Sequence, residues 1–227
     1  MIPIKDDLPT RSFPLITIGF IILNSATFFY QVSLGASSER LVVSYGAIPY
    51  NMMHFFESNV AIPQVAISIF TSMFLHGDIL HLGGNMLYLW IFGNNIEDCM
   101  GHTRFILFYL ICGMIAVYTH SWFEAQSRIP MIGASGAVSG ILGAYLFLFP
   151  RARVLTLVPL GFYMTTIRMP ALILIGFWFG AQLVNSILAD SMKGGVAWFA
   201  HVGGFIGGFI LIYFFSRRRA YRTGSFF

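Results

Sequence analysis

Charge is what this chain has least of. Only 10% of its 227 residues are Asp, Glu, Lys or Arg, while 57% are hydrophobic; an ordinary soluble domain carries about 25% charged residues. The shortage excludes a soluble globular protein. Cysteine is almost as scarce: Cys99 and Cys112 lie beside and within apolar runs, with no CxxC or His/Cys spacing, so neither a disulfide framework nor a metal site is expected. No HExxH occurs, which argues against a zinc protease, and no cofactor is expected. No cleavable leader is expected either, since MIPIKDDLPTRS holds two acids and the run behind it is too long for a signal-peptide core and reads as an uncleaved first span. The formal charge of +4 has no soluble domain on which to build a nucleic-acid surface, so no nucleic acid is expected as a partner.

What is abundant is apolar length. Runs separated by short polar stretches read as six bilayer spans, Phe13 to Leu34, Ile79 to Ile96, Phe105 to His120, Ser135 to Phe149, Ala171 to Ala189 and Val196 to Phe215. The expected fold is all-α, a single six-helix membrane domain over residues 1–227. A tail of residues 1–12 precedes the core at 13–216, which contains a long outer loop at 35–78, and a basic tail at 217–227 follows it. Within that loop Leu41 to Glu57 is apolar enough to lie along the interface. Lys and Arg are retained on the cytoplasmic side during insertion. With both termini inside, ten basic residues (Lys5, Arg11, Arg104, Arg151, Arg153, Arg168, Arg217, Arg218, Arg219, Arg222) fall on the inner side and three (Arg40, Arg128, Lys193) outside.

Helical rise converts sequence position into depth. Sixteen residues above the polar inner ends at Arg151, Arg217 and Glu97 stand Ser135, His201 and His81, all roughly 24 Å up at 1.5 Å per residue. Asn85 follows one turn from His81 on the same face. Polar side chains inside lipid face one another or a wet cavity, or they cost free energy. The bland alternative, interhelical hydrogen bonding worth about 0.6 kcal/mol each, explains one such residue better than four on a plane.

Ser135 opens a run too short to reach the outer surface, so it sits at a sunken helix N-terminus whose first N–H groups lack intrahelical partners. Such groups stabilise a developing oxyanion. Gly133 and Gly136 admit a close backbone, although Gly136, Gly140 and Gly143 also read as a helix-packing seam. Gly204 and Gly208 lie at i+3 and i+7 from His201, so the histidine's face is also the one that can press against a neighbour. An imidazole is the usual base for a serine. None of the nine acids stands near this level in the last three spans. The site therefore reads as a Ser135–His201 dyad without a carboxylate, with His81 and Asn85 able to donate to one anion. His76 reads equally as an interfacial histidine, and Trp90, Trp122 and Trp178 as packing aromatics.

Taken together, His76-Gly-Asp-Ile-Leu-His81-Leu-Gly-Gly-Asn85, Glu97 to Gly101, Gly133-Ala-Ser135-Gly136 and His201-Val-Gly-Gly204 with Gly208 resemble the rhomboid family of intramembrane serine proteases, over roughly Phe70 to Phe215. The resemblance implies a six-helix core, a Ser135–His201 dyad, and an oxyanion site formed by His81, Asn85 and the Ser135 backbone. It also implies cleavage, without a cofactor, of single-span membrane proteins near the outer end of their helix. Two departures stand out: Ile67-Ser68 where some members carry Trp-Arg, and Ser139 where some place an aromatic against the histidine. A non-catalytic rhomboid-like binder of membrane helices is the alternative, and a small transporter or channel a third. The absence of extra domains suggests a bacterial cytoplasmic membrane. Natural substrate and oligomeric state are not legible in the chain.

Overall fold

The computed structural model describes residues 1–54, 56–57, 60–161, 163–188 and 195–216. The apolar runs are helices: α1 (Leu15–Ser33), α5 (Ile79–Tyr88) continued through a π-helical turn (Leu89–Gly93) into α6 (Asn94–Met100), α7 (His102–Phe123), α8 (Ser135–Leu148), α9 (Ala171–Leu188) and α10 (Trp198–Phe215). The segment expected as an outer loop folds into α2 (Ser38–Tyr45), α3 (Pro49–Met53) and α4 (Ile62–Thr71), closed by a 3-10 turn at Ser72–Phe74. Among the described residues four helices, α1, α7, α9 and α10, are long and apolar enough to cross a bilayer. A fifth candidate is the pair Ile62–Phe74 and Ile79–Met100, bent by 81°, and Ser135–Leu148 is a shorter apolar helix. The chain is a multi-pass membrane protein.

Helix α8 is the axis of the bundle. Every residue from Gly136 to Tyr145 is buried, so the run that is shortest is also the one with least contact with the surroundings. Around it the fully buried Tyr109, Phe105, Phe108, Phe92 and Leu89 fill the interior, and Phe20 stacks on Tyr109 with centroids 4.2 Å apart. The outward faces of α1 and α9 carry exposed Ile22, Phe29, Phe177 and Ile187, as lipid-facing helices must.

The all-α expectation is corrected by a three-stranded antiparallel sheet, in the order β1 (Ile2–Asp6), β2 (Arg153–Leu160), β3 (Tyr163–Pro170). Residues 153–170 are rich in Val, Thr, Leu and Ile, which favour a pleated strand, and Gly161 turns the chain at φ +61° before Leu160 pairs with Tyr163. The tail expected at 1–12 is thus no free tail: Ile2 lies opposite Leu157 and Asp6 opposite Val154. Asp6 is buried there and its carboxylate accepts from Asn95 Nδ2 (2.6 Å) and Tyr145 Oη (2.7 Å). Removal from water pushes its pKa up to about 6.

Glu97, expected as the polar inner end of its span, stands three residues before the helix ends. It is buried, and the helix continues to Met100. Its carboxylate caps α1, accepting from the backbone N–H of Ile16 (2.9 Å) and Thr17 (2.8 Å), which satisfies donors the first helical turn leaves open. The next residue, Asp98, accepts from the N–H of Ser12 at 2.9 Å. These contacts, the sheet, and the bond from Arg104 Nη1 to the Phe215 carbonyl (3.3 Å) gather the ends of the helices at one end of the bundle. The expected tail at 217–227, with Arg217, Arg218, Arg219 and Arg222, and also Asp190 and Lys193, lies outside the described residues.

Candidate active site

At the opposite end of the bundle, α8 and α10 meet backbone to backbone. A Cβ built on Gly204 would strike the Gly136 carbonyl oxygen, one on Gly208 the Gly140 carbonyl oxygen, and one on Gly143 the Phe205 carbonyl oxygen. Only glycine permits that approach. Its consequence lies at the top of the seam, where His201 Nε2 comes to 2.8 Å from Ser135 Oγ. Ser135 is the first residue of α8, half-buried, and His201 is buried in the first turn of α10.

His81 approaches from α5. Its Nδ1 accepts a long hydrogen bond from the Gly77 N–H (3.4 Å), which leaves Nε2 to carry the ring proton. That Nε2 faces Gly133, where a Cβ would sit 2.6 Å from it and 3.7 Å from Ser135 Oγ. Gly133 has φ +122° and donates its N–H to the Ser72 carbonyl at 2.9 Å. The bare Gly133 is therefore the ground between the His81 ring and the serine. Asn85 is buried one turn below and uses one amide N–H on the His81 carbonyl (3.0 Å), leaving the other uncommitted by that bond. Ser135, His201, His81, Asn85, Gly133 and Trp178 all line one cavity of about 820 Å³.

Four neighbours of the site were given no place in it by the sequence. His76, expected near the outer boundary, is fully buried. Its Nε2 accepts from the Ala134 N–H at 3.5 Å, directly before the serine, and its ring meets His81 edge-on at 5.1 Å. Gln31 of α1 clamps the His76 backbone, donating to its carbonyl (2.9 Å) and accepting from its N–H (3.3 Å). Trp178 and Gln182 of α9 flank His201: the Trp178 ring stands 5.9 Å from the imidazole, and Gln182 Oε1 lies 2.7 Å from Nδ1. The signal for Gln31 and Gln182 was present, because each is an amide inside an apolar run and such groups demand a partner. Ser139, which stands where an aromatic could have met the histidine, turns back to donate to the Ser135 carbonyl at 2.6 Å.

Among the described residues no group of three or more His, Cys, Asp or Glu could hold a metal ion. The chemistry open to the arrangement is that of a hydroxyl, a neighbouring imidazole and a cluster of N–H donors, which is the set acyl transfer requires.

The chain is 31% identical over 198 residues to the rhomboid protease GluP of Bacillus subtilis, a match covering 86% of this chain and 34% of that protein. It is 38% identical over 96 residues to the mitochondrial rhomboid protein 1 of Saccharomyces cerevisiae, covering 40% of this chain and 28% of the relative. With the mitochondrial presenilin-associated rhomboid-like protein of Homo sapiens it shares 32% over 104 residues, 45% of this chain and 27% of the other. The matches thus span about a third or less of these curated relatives. Residues 63–218 match the rhomboid domain, well over half of the chain, and the chain belongs to the rhomboid family.

Proposed function

We propose that this protein is an intramembrane serine endopeptidase that cleaves transmembrane segments of other membrane proteins, with Ser135 as nucleophile and His201 as general base. The observation that carries the reading is the 2.8 Å approach of His201 Nε2 to Ser135 Oγ within a cavity large enough for a peptide segment. Nε2 takes the hydroxyl proton as Oγ bonds to the scissile carbonyl carbon. The oxyanion that forms is met by the N–H groups of the first turn of α8 and by the His81 Nε2–H across Gly133, with the Asn85 amide beside them. Collapse breaks the C–N bond, and the proton on Nε2 passes to the departing amine. Water then repeats the sequence on the acyl-enzyme and frees the acid. No cofactor enters.

In the membrane we place six spans with both termini in the cytoplasm. The sheet supports this orientation: it ties residues 2–6 to the connection between α8 and α9, so the two share a side, and it brings Lys5, Leu155 and Arg168 into adjacent register. Ser135 and His201 lie at the other end and thus beneath the outer leaflet. Substrates are single-span proteins cut near the outer end of their helix, in segments that unwind easily because they hold Gly, Pro or other weak helix formers. The relative from Bacillus subtilis supports a bacterial cytoplasmic membrane as the location.

The test is co-expression of a single-span reporter with wild-type protein and with Ser135→Ala, alongside labelling by a fluorophosphonate. Cleavage and labelling by the wild type, both lost in Ser135→Ala, are expected. A wild type that binds the reporter helix but neither cuts it nor takes the label would instead identify a non-catalytic binder.

A further inference from the structure

A base that must accept a proton at Nε2 has to carry its own on Nδ1. In Ser-His-Asp enzymes a buried carboxylate imposes that tautomer. Among the described residues no acid faces His201, and the titratable side chains acting on it are other histidines, His81 from α5 and His120 from α7. The geometry points to Gln182 as the positioning residue that takes the carboxylate's place, an inference that rests on the proposed roles of Ser135 and His201.

Four observations converge. Gln182 Oε1 stands 2.7 Å from His201 Nδ1. An amide oxygen can only accept, so Nδ1 carries the hydrogen and Nε2 presents its lone pair to the Ser135 hydroxyl. The identity of that oxygen follows from the other half of the amide: Nε2 of Gln182 donates to the Trp178 carbonyl one turn back at 3.3 Å, which only the nitrogen can do. Gln182 is itself buried, so water does not compete for either bond. Finally, Trp178 and Trp198 hold the ring plane, with centroids 5.9 and 6.0 Å from that of His201, the second edge-on. Helix α9 thus supplies two supports of the base, a hydrogen-bond acceptor for its far nitrogen and an aromatic wall. That wall stands in for the one Ser139 leaves out.

A neutral acceptor differs from a carboxylate in a way that can be measured. It fixes the tautomer while attracting the imidazolium far less than a full negative charge would, so it orients the base and adds no charge of its own to a site within lipid.

The experiment compares Gln182→Met, which keeps length and loses the acceptor, with Gln182→Glu, which keeps an acceptor oxygen. The protein is full-length in detergent or liposomes, with a peptide-bond reporter. For Gln182→Met the expected result is a fall in kcat of about 10- to 100-fold with KM unchanged and fluorophosphonate labelling slowed in proportion. Gln182→Glu is expected to recover most of the rate, with the acid limb of its pH–kcat/KM profile moved to higher pH because an ionised carboxyl favours the protonated ring. Independently of turnover, 15N spectra of histidine-labelled protein should show His201 protonated at Nδ1 in the wild type and a tautomer mixture in Gln182→Met. Wild-type kcat and pH profile in Gln182→Met, or an Nε2-protonated His201 in the wild type, would overturn the role. If the wild type neither cleaves nor labels, the protease reading fails, while the spectra still decide whether Gln182 sets the tautomer.

Discussion

Thr17 and Glu97, eighty residues apart in sequence, are joined by two hydrogen bonds: the Thr17 backbone N–H donates to Glu97 Oε2 at 2.8 Å and its hydroxyl to the same oxygen at 2.7 Å. The other carboxylate oxygen takes the Ile16 N–H, and His102 Nδ1 lies 2.6 Å from it. One buried acid therefore locks the entry of α1 to the end of α6 and the start of α7. Glu97→Gln turns an amide N–H group toward donors and removes the charge. It should lower the stability of the detergent-solubilised protein by about 2 kcal/mol, the scale of a buried charge-assisted bond left unmade; thermal unfolding reads it. An unchanged transition would mean that the cap is dispensable.

Gly133→Ala is expected to remove activity while leaving the fold. The residue's φ of +122° is one that side chains rarely adopt, and its new Cβ would stand 2.6 Å from His81 Nε2. Displacing that ring by even 1 Å costs on the order of 100-fold in rate. Reporter cleavage should fall by that factor, with some loss of thermal stability from the strained backbone, and near-normal cleavage would show that His81 is not needed where it stands.

Gly208→Ala and Gly180→Ala form a contrast. A Cβ on Gly208 meets the Gly140 carbonyl and Cα, which are backbone atoms and cannot swing aside, whereas one on Gly180 meets nothing within 4 Å. Overpacking at the first should cost about 2 kcal/mol and, by spreading α8 from α10, weaken the Ser135–His201 contact. The second should keep stability and cleavage. Equal behaviour of the two variants in paired unfolding and activity measurements would refute the close-packed seam.

Asp6 makes stability depend on pH. Its folded pKa of about 6 lies above the ordinary 3.8, because burial outweighs the hydrogen bond from Tyr145. In the window between these values the folded state holds a proton that the unfolded chain has released. This group's contribution is therefore full below about 3.8 and is lost as pH rises through about 6. Asp6→Asn keeps an acceptor oxygen for Asn95 and Tyr145 and cannot ionise. It should unfold at a higher temperature than wild type above pH 6, and the difference should shrink toward pH 4; a pH-independent difference would contradict the burial effect.

The helices were legible in the sequence because a bilayer span is a local property, a run of apolar residues of a given length. Expected boundaries such as Ser135 to Phe149 and Ala171 to Ala189 meet helices at Ser135–Leu148 and Ala171–Leu188. The place of the first strand in the sheet was hidden because β1 finds its partner some 150 residues later, a pairing that no local pattern announces, whereas the β2–β3 hairpin is local and its strand-favouring composition was legible. Among the candidate site residues, Ser135, His201, His81 and Asn85 were marked by depth, glycine spacing and motif. Gln182 was passed over and His76 left between two readings because their meaning depends on which atom faces which.

Composition, apolar run length, basic-residue asymmetry and glycine spacing by themselves determined a multi-pass helical membrane protein with a polar layer, since each expresses transfer free energy or steric bulk summed along a single segment. Only the tertiary structure decided that Glu97 is a buried cap of α1, that the first residues are a strand, and that an amide on α9 stands behind the imidazole on α10. Those facts are hydrogen bonds, and a hydrogen bond depends on angle and tenths of an ångström between groups that the chain brings together only by folding.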